Sequence, residues 1–209
     1  MKTPWMEMTV RDFQAALASS SPTPGGGTAS AIALGQASAL TIMVCDLTIG
    51  KDKWKEGWTI AEEAMLCSVK IMSRSGELAD EDSDAFDSVM AAFKMPKDDE
   101  KRVQNRKEAI RMATLEATLK PYETAKLALE LLSKLPELAA KGNGNAVSDV
   151  GVAGLLASAA FKGALFNVEI NLGSLPDDDA IEIRESIESI KEEGRNYSRR
   201  IMDSVRDRL

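Results

Sequence analysis

Residues 54–94 read WKEGWTIAEEAMLCSVKIMSRSGELADEDSDAFDSVMAAFK. Trp58, Ala61, Met65, Ser68, Met72, Ser75, Ala79, Asp82, Phe86, Val89 and Phe93 recur in steps of three and four. That is the period of one helix face, and of a heptad seam that meets partner helices. The spacing predicts one long helix from Trp54 to Lys94, ended by Pro96. Gly57 and Gly76 weaken the pattern, and Gly76 marks where it would break. Asp82 stands on the seam with Ala79 and Phe86 as neighbours. A carboxylate on a packed stripe is costly unless it is paired or used. Two readings stay open: an Asp satisfied by a Lys, an Arg or a backbone donor, or a carboxylate facing a cleft, ready to move a proton or hold a cation. Asp80, Glu81, Asp84 and Asp87 around it read as a solvated face.

Outward from this segment the chain continues as helices joined by Gly/Pro/Asp punctuation, with almost no strand signal. Thr9 is a candidate N-cap with Asp12 three residues on, opening a short helix with Val10, Phe13 and Leu17 on one face. A second helix is expected over 28–48, closed by Gly50. Asp98 or Asp99 caps a helix to Lys120. Pro121 restarts or kinks it, and Pro136 interrupts it again. Another helix runs from Val147 to Ile170. The last begins near Asp177 and carries Ile183, Ile187, Ile190, Gly194, Tyr197 and Ile201. The segments 25–50 and 144–173 share a plan: a Gly turn, a small-residue helix, then an acidic residue near a closing Gly. They read as two central helices whose backbones approach closely.

The chain has 209 residues, a net charge of −7, two cysteines and no histidine. An acidic balance argues against nucleic acid or an anionic membrane as the main partner. Cys45 and Cys67 read as free thiols in a reducing compartment. Without histidine, the usual zinc sites and the His-based nucleophile routes are closed, so acid–base chemistry falls to Asp, Glu, Lys, Tyr or Cys. The N-terminal MKTPWMEMTVRDF has no apolar leader segment, so a cytoplasmic location is expected. Residues 29–45 carry no charge, but their Ala/Ser content and Gln36 fit an interior helix rather than a membrane span.

Two Gly/Asn turns lead into helix N-termini, where free N–H groups and the positive dipole end suit an anion. One is SSSPTPGGG at 19–27; the other is KGNGN at 141–145. Neither is a phosphate loop of the Gly-Lys-Ser/Thr kind. In DLTIGKDKW at 46–54, Lys51 reads either as ordinary C-terminal charge or as a lysine that orients an anion or shares a proton with a buried carboxylate.

Five blocks then fall in order: SSSPTPGGG, DLTIGK, DSDAFDSVMAAFKMPK, KGNGNAVSDVGVAGLLASAA and LFNVEINL. In this order and spacing, over nearly the whole chain, the sequence resembles the formiminotetrahydrofolate cyclodeaminase / methenyltetrahydrofolate cyclohydrolase family. The resemblance implies an all-α, up-and-down, multi-helix bundle in two layers that pairs into a homodimer. It implies one domain over residues 1–209, without a formiminotransferase domain. It also implies a tetrahydrofolate derivative as substrate, in a cleft near the subunit interface, and no metal or redox cofactor. It assigns catalysis to Asp82, with Lys51 as partner. Substrate binding falls to Pro22, Thr23, Pro24, Gly25, Gly26 and Gly27, to Asp46, and to Asn143, Asn145, Ser148 and Asp149 after Gly142. Asp46 stands where the family commonly has Asn, and Asp52 interrupts the lysines. These departures motivate an alternative, a folate-binding or interaction-only helical dimer without turnover. A third reading is an unrelated helical scaffold with a buried salt bridge at Asp82.

Overall fold

In the computed structural model, residues 3–209 are described. Met1 and Lys2, part of the stretch read as lacking a leader, lie outside them. The described residues are all-helical: α1 (Val10–Leu17), α2 (Gly26–Thr48), α3 (Trp58–Phe93), α4 (Glu100–Lys141), α5 (Val147–Leu172) and α6 (Ile181–Arg206). Three short 3₁₀ turns, at Trp5–Glu7, Asp52–Gly57 and Gly144–Ala146, join them. Helices α2 to α5 run up and down, each packed on the next, with α5 closing back on α2. Helix α6 covers the outer side of α4 and α5.

The two small-residue helices are central neighbours, as their composition predicts. Leu34, Ala37 and Val44 of α2, and Ala153, Ala157, Ala160 and Ala164 of α5, are wholly buried. Both are long and apolar enough to cross a membrane by length and composition only, and their inner faces fill the bundle. Cys45 and Cys67 are free and buried, and burial pushes both thiols up to about 12.

Several expectations are corrected. The long seam helix starts at Trp58, not Trp54. Residues 52–57 form a 3₁₀ turn in which Trp54 leaves helical geometry, and the indole N–H of Trp58 donates to the Lys51 carbonyl at 3.2 Å. The helix passes Gly76 unbroken, because Ser75, Leu78 and Ala79 beside it are buried and outweigh the propensity loss of about 1 kcal/mol. Only part of its buried face follows the seam, at the small residues Ala61, Ser68, Ser75 and Ala79. Ile60, Ala64, Cys67, Ile71 and Leu78 point inward, whereas Met72, Phe86 and Phe93 are exposed.

Neither Pro121 nor Pro136 ends α4, which is one helix of 42 residues. On α1, Thr9 caps as predicted, accepting from the Asp12 N–H at 3.1 Å, but Val10 is 72% exposed and Phe13 alone of its three apolar residues turns inward, edge-on to Trp5. Helix α6 begins at Ile181, not Asp177. The turn before it puts Ala180 at φ +54°, and Arg184 donates back to the carbonyls of Leu172, Leu175 and Asp179. The stripe predicted for α6 holds: Ile183, Ile187, Gly194 and Ile201 are buried.

Candidate functional site

The carboxylate of Asp82 lies across the N-terminus of α2. Its Oδ2 accepts from the Thr28 hydroxyl at 3.1 Å, and the Thr28 backbone N–H also holds it. The first turn of a helix has free N–H groups, and here the protein's own aspartate takes that of Thr28. Gly27 makes this approach possible, since a Cβ there would fall 2.6 Å from the carboxyl carbon of Asp82. Burial pushes the Asp82 carboxyl above its ordinary value, against the lowering effect of the Thr28 donors. No ion pair holds Asp82 among the described residues, so the buried-salt-bridge reading fails.

Around this carboxylate is a cleft of about 260 Å³. The predicted turn contributes Pro22, Thr23, Gly25, Gly26 and Gly27; Phe86, Ala117, Asn167, Ile170 and Asn171 complete the wall. Pro24 is buried behind the lining, in a cis peptide with Thr23. The two amides come from LFNVEINL, and their spacing of four puts both on one side of α5. Asn167 donates to the Gly163 carbonyl at 2.9 Å. Asn171 donates to the Ala117 carbonyl at 2.8 Å. Ala117 is four residues before Pro121, which has no N–H to give it. The proline inside α4 therefore leaves an acceptor that Asn171 fills, and this fixes Asn171 in the cleft wall with its amide oxygen as the remaining acceptor.

Of the acidic neighbours of Asp82, Asp84 and Asp87 are exposed, as expected of a solvated face, whereas Asp80 and Glu81 are half-buried. Asp80 accepts from the Trp5 backbone N–H at 2.9 Å, and Asp87 from the Thr23 hydroxyl at 3.2 Å. Glu81 pairs with Arg74 and with Lys120, and Arg74 also reaches Glu123, tying α3 to α4 beside the cleft.

The remaining predicted residues sit at the other end of α2, roughly 30 Å away at 1.5 Å per residue. Within this chain, Asp82 and Lys51 therefore share no proton. Lys51 and Asp46 are exposed. Asn143 holds a corner: its N–H donates to the Thr48 hydroxyl at 3.0 Å, its amide donates to the Leu47 carbonyl at 2.8 Å, and its side-chain oxygen accepts from the Asn145 N–H. Asn145 and Ser148 are exposed and Asp149 is half-buried at the start of α5. A second cleft of about 560 Å³ lies at this end, lined by Lys53, Trp54, Lys55, Lys141 and Arg208 among others.

Sequence reasoning did not assign Thr28, Phe86, Asn167, Ile170 or Asn171. The amide pair had a signal in its spacing of four within an otherwise apolar helix. Thr28 had one in its place directly after the glycines.

A family model described as formiminotransferase-cyclodeaminase matches residues 9–189. The chain is 36% identical over 203 residues to a methenyltetrahydrofolate cyclohydrolase of Methylorubrum extorquens, covering 96% of this chain and 97% of that protein. It is 28% identical to the formimidoyltransferase-cyclodeaminase of Sus scrofa over 95% of this chain but only 37% of that longer protein. Among solved structures, the formiminotetrahydrofolate cyclodeaminase of Thermotoga maritima matches with a TM-score of 0.85 at 26% identity, covering 97% of this chain and 98% of that one.

Proposed function

This chain belongs to the formiminotransferase-cyclodeaminase family, and from that premise we propose that it is a one-carbon folate enzyme acting at the carbon between N5 and N10. It converts 5-formimino-tetrahydrofolate to 5,10-methenyl-tetrahydrofolate with release of ammonia, or hydrolyses the 5,10-methenyl compound to 10-formyl-tetrahydrofolate. In the first reaction N10 attacks the formimino carbon, the formimino nitrogen takes up the proton lost by N10 and one more from solvent, and ammonia leaves with the electrons of its bond to carbon. In the second, water attacks the same carbon, gives up a proton, and the ring opens. Both pass through a tetrahedral carbon, so one cleft serves either.

The observation that carries this reading is a carboxylate with a raised proton affinity in the wall of a small cleft floored by bare backbone. A carboxyl titrating closer to neutrality is a better proton shuttle, and its charge stabilises the amidinium-like cation. At the start of α2 the Asp82 carboxylate already holds Thr28, and its charge disfavours a second carboxylate there. The backbone of Gly25 and Gly26 is therefore left as a surface for the flat ring, not an anion site for the glutamate tail. The free oxygens of Asn167 and Asn171 suit the ring's N–H donors. The relatives named above carry enzyme names, and no observation favours a binding-only dimer.

We take the chain as one helical domain over residues 1–209, cytoplasmic, acting as a homodimer. The outer face of α2 and α5 supports pairing. From Gly26 to Cys45 α2 carries no charge, and Met43, Leu47, Val152, Leu155, Phe166 and Ile170 stand exposed on the two helices. In that arrangement α2 and α5 form the inner layer, and α3, α4 and α6 the outer. A two-fold pairing with α2 antiparallel to its counterpart brings the partner's Lys51 towards Asp82, joining the two halves of the predicted site. The test is to supply purified protein with each folate. Loss of methenyl absorbance above the buffer rate, or ammonia released from the formimino compound, supports the proposal; neither activity overturns it.

A further inference from the structure

Behind Asp82 a line of side chains leads away from the cleft. The indole N–H of Trp5 donates to the Ser83 hydroxyl at 2.9 Å. Ser83 and Thr28 hydroxyl oxygens are 2.9 Å apart, and Thr28 donates to Oδ2 of Asp82 at 3.1 Å. Ser83 and Thr28 are wholly buried, and Trp5 is 6% exposed. An indole N–H donates only, and each hydroxyl has one proton. If Ser83 accepts from Trp5, its proton is free for Thr28. If Thr28 accepts from Ser83, its proton is free for Asp82. Run this way, every proton in the line has an acceptor. Reversing the Ser83–Thr28 step takes the Thr28 proton from Asp82 and leaves the Ser83 proton without a partner in the line, a loss of the costly kind in a buried site.

We propose that Trp5, Ser83 and Thr28 are positioning residues for Asp82, forming a one-way hydrogen-bond chain that keeps Oδ2 an acceptor and leaves the proton of the reaction to Oδ1. This rests on the reading of Asp82 as the acid–base group. The chain also explains why the segment before α1 is pinned to α3 twice, once through the indole of Trp5 and once through its backbone N–H on Asp80. The groups facing Asp82 from the packed elements are uncharged: Gly27 and Thr28 on α2, Ala117 on α4, and Asn167 and Asn171 on α5. On α3 the charged neighbours are Asp80, engaged by Trp5, and Glu81, engaged by Arg74 and Lys120; Asp87 holds Thr23. Burial raises the proton affinity of Asp82, and the Thr28 donors lower it.

The test follows two nuclear magnetic resonance signals against pH, the Asp82 carboxyl carbon and the Trp5 indole N–H, assigned by Asp82→Asn and Trp5→Phe. In the native chain the indole signal follows the Asp82 midpoint, and Asp82→Asn removes that component. In Thr28→Val, which keeps the shape, the Asp82 midpoint rises by about one pH unit, as for loss of one hydrogen bond to a charged group, and the indole no longer follows it. Thr28→Ser restores both. The acidic limb of turnover moves with the Asp82 midpoint in each variant. An unchanged midpoint in Thr28→Val, or an indole signal that never senses Asp82, overturns the proposal. Because the two signals need no folate, this failure is separate from failure of the enzyme reading, which appears as full turnover in Asp82→Asn.

Discussion

The backbone of Gly27 and the carboxylate of Asp82 are in direct apposition: a Cβ on Gly27 would lie 2.6 Å from the Asp82 carboxyl carbon. Of the three glycines in the turn, only this one is fixed by contact. A Cβ at Gly25 or Gly26 would meet its nearest neighbour at 3.7 or 3.8 Å. Gly27→Ala is expected to displace Asp82 and lower kcat/KM by about 100-fold, as for misplaced reacting groups, while circular dichroism stays helical. Gly26→Ala, whose Cβ would meet the ring's surface and not Asp82, is expected to raise KM severalfold with kcat little changed. Equal losses in the two variants would show that the carboxylate is not what the turn accommodates.

Burial of Asp82 also has a signature in stability. Its carboxyl titrates higher in the folded chain than its ordinary 3.8, so ionisation favours unfolding. The contribution is fully present below the unfolded value and lost as pH rises through the folded one. Asp82→Asn is therefore expected to match the native chain near pH 3 and to melt at a higher temperature at pH 7. A lower Tm at pH 7 alone would show that the ionised carboxylate stabilises the fold.

Asn171 owes its position to Pro121. Removing the amide in Asn171→Ala should raise KM by about fivefold with kcat little changed, the worth of one neutral hydrogen bond. Pro121→Ala offers Ala117 a helical N–H in competition and should raise KM in the same direction while leaving the helix intact. Unchanged KM in both variants would remove Asn171 from substrate binding.

The proposed pairing of Asp82 with the partner's Lys51, at opposite ends of α2, makes a complementation experiment decisive. Asp82→Asn and Lys51→Ala homodimers are each expected to be nearly inactive. Mixed after dissociation, they should recover about a quarter of native activity, because half the dimers are hybrids with one intact site in two. No recovery from properly exchanged dimers would show that Lys51 does not act across the interface.

Much of this was legible in residues alone. The helix period, the caps at Thr9 and Asp99, and the small-residue faces of α2 and α5 are local properties, and Thr9 and Asp99 do cap as read. Asp82 could be singled out because a charge on a packed stripe needs a reason. The continuity of α4 through Pro121 was not legible, since the partner that satisfies Ala117 lies 54 residues away on α5. The exposure of Met72, Phe86 and Phe93 on the α3 seam was hidden for a similar reason: Ala and Ser fill both sides of that helix, so the sequence under-determines which large residues turn inward. The separation of Lys51 from Asp82 became plain only when α2 was seen as one straight connection between them.

The central claim is that Asp82 moves the proton in this cleft. The direct measurement is turnover of 5,10-methenyl- and 5-formimino-tetrahydrofolate by Asp82→Asn, with folding checked by melting. The account predicts a fall of at least about 100-fold, the usual share of a general acid–base group, with Tm at pH 7 no lower than native. A folded variant turning over at the native rate would contradict it.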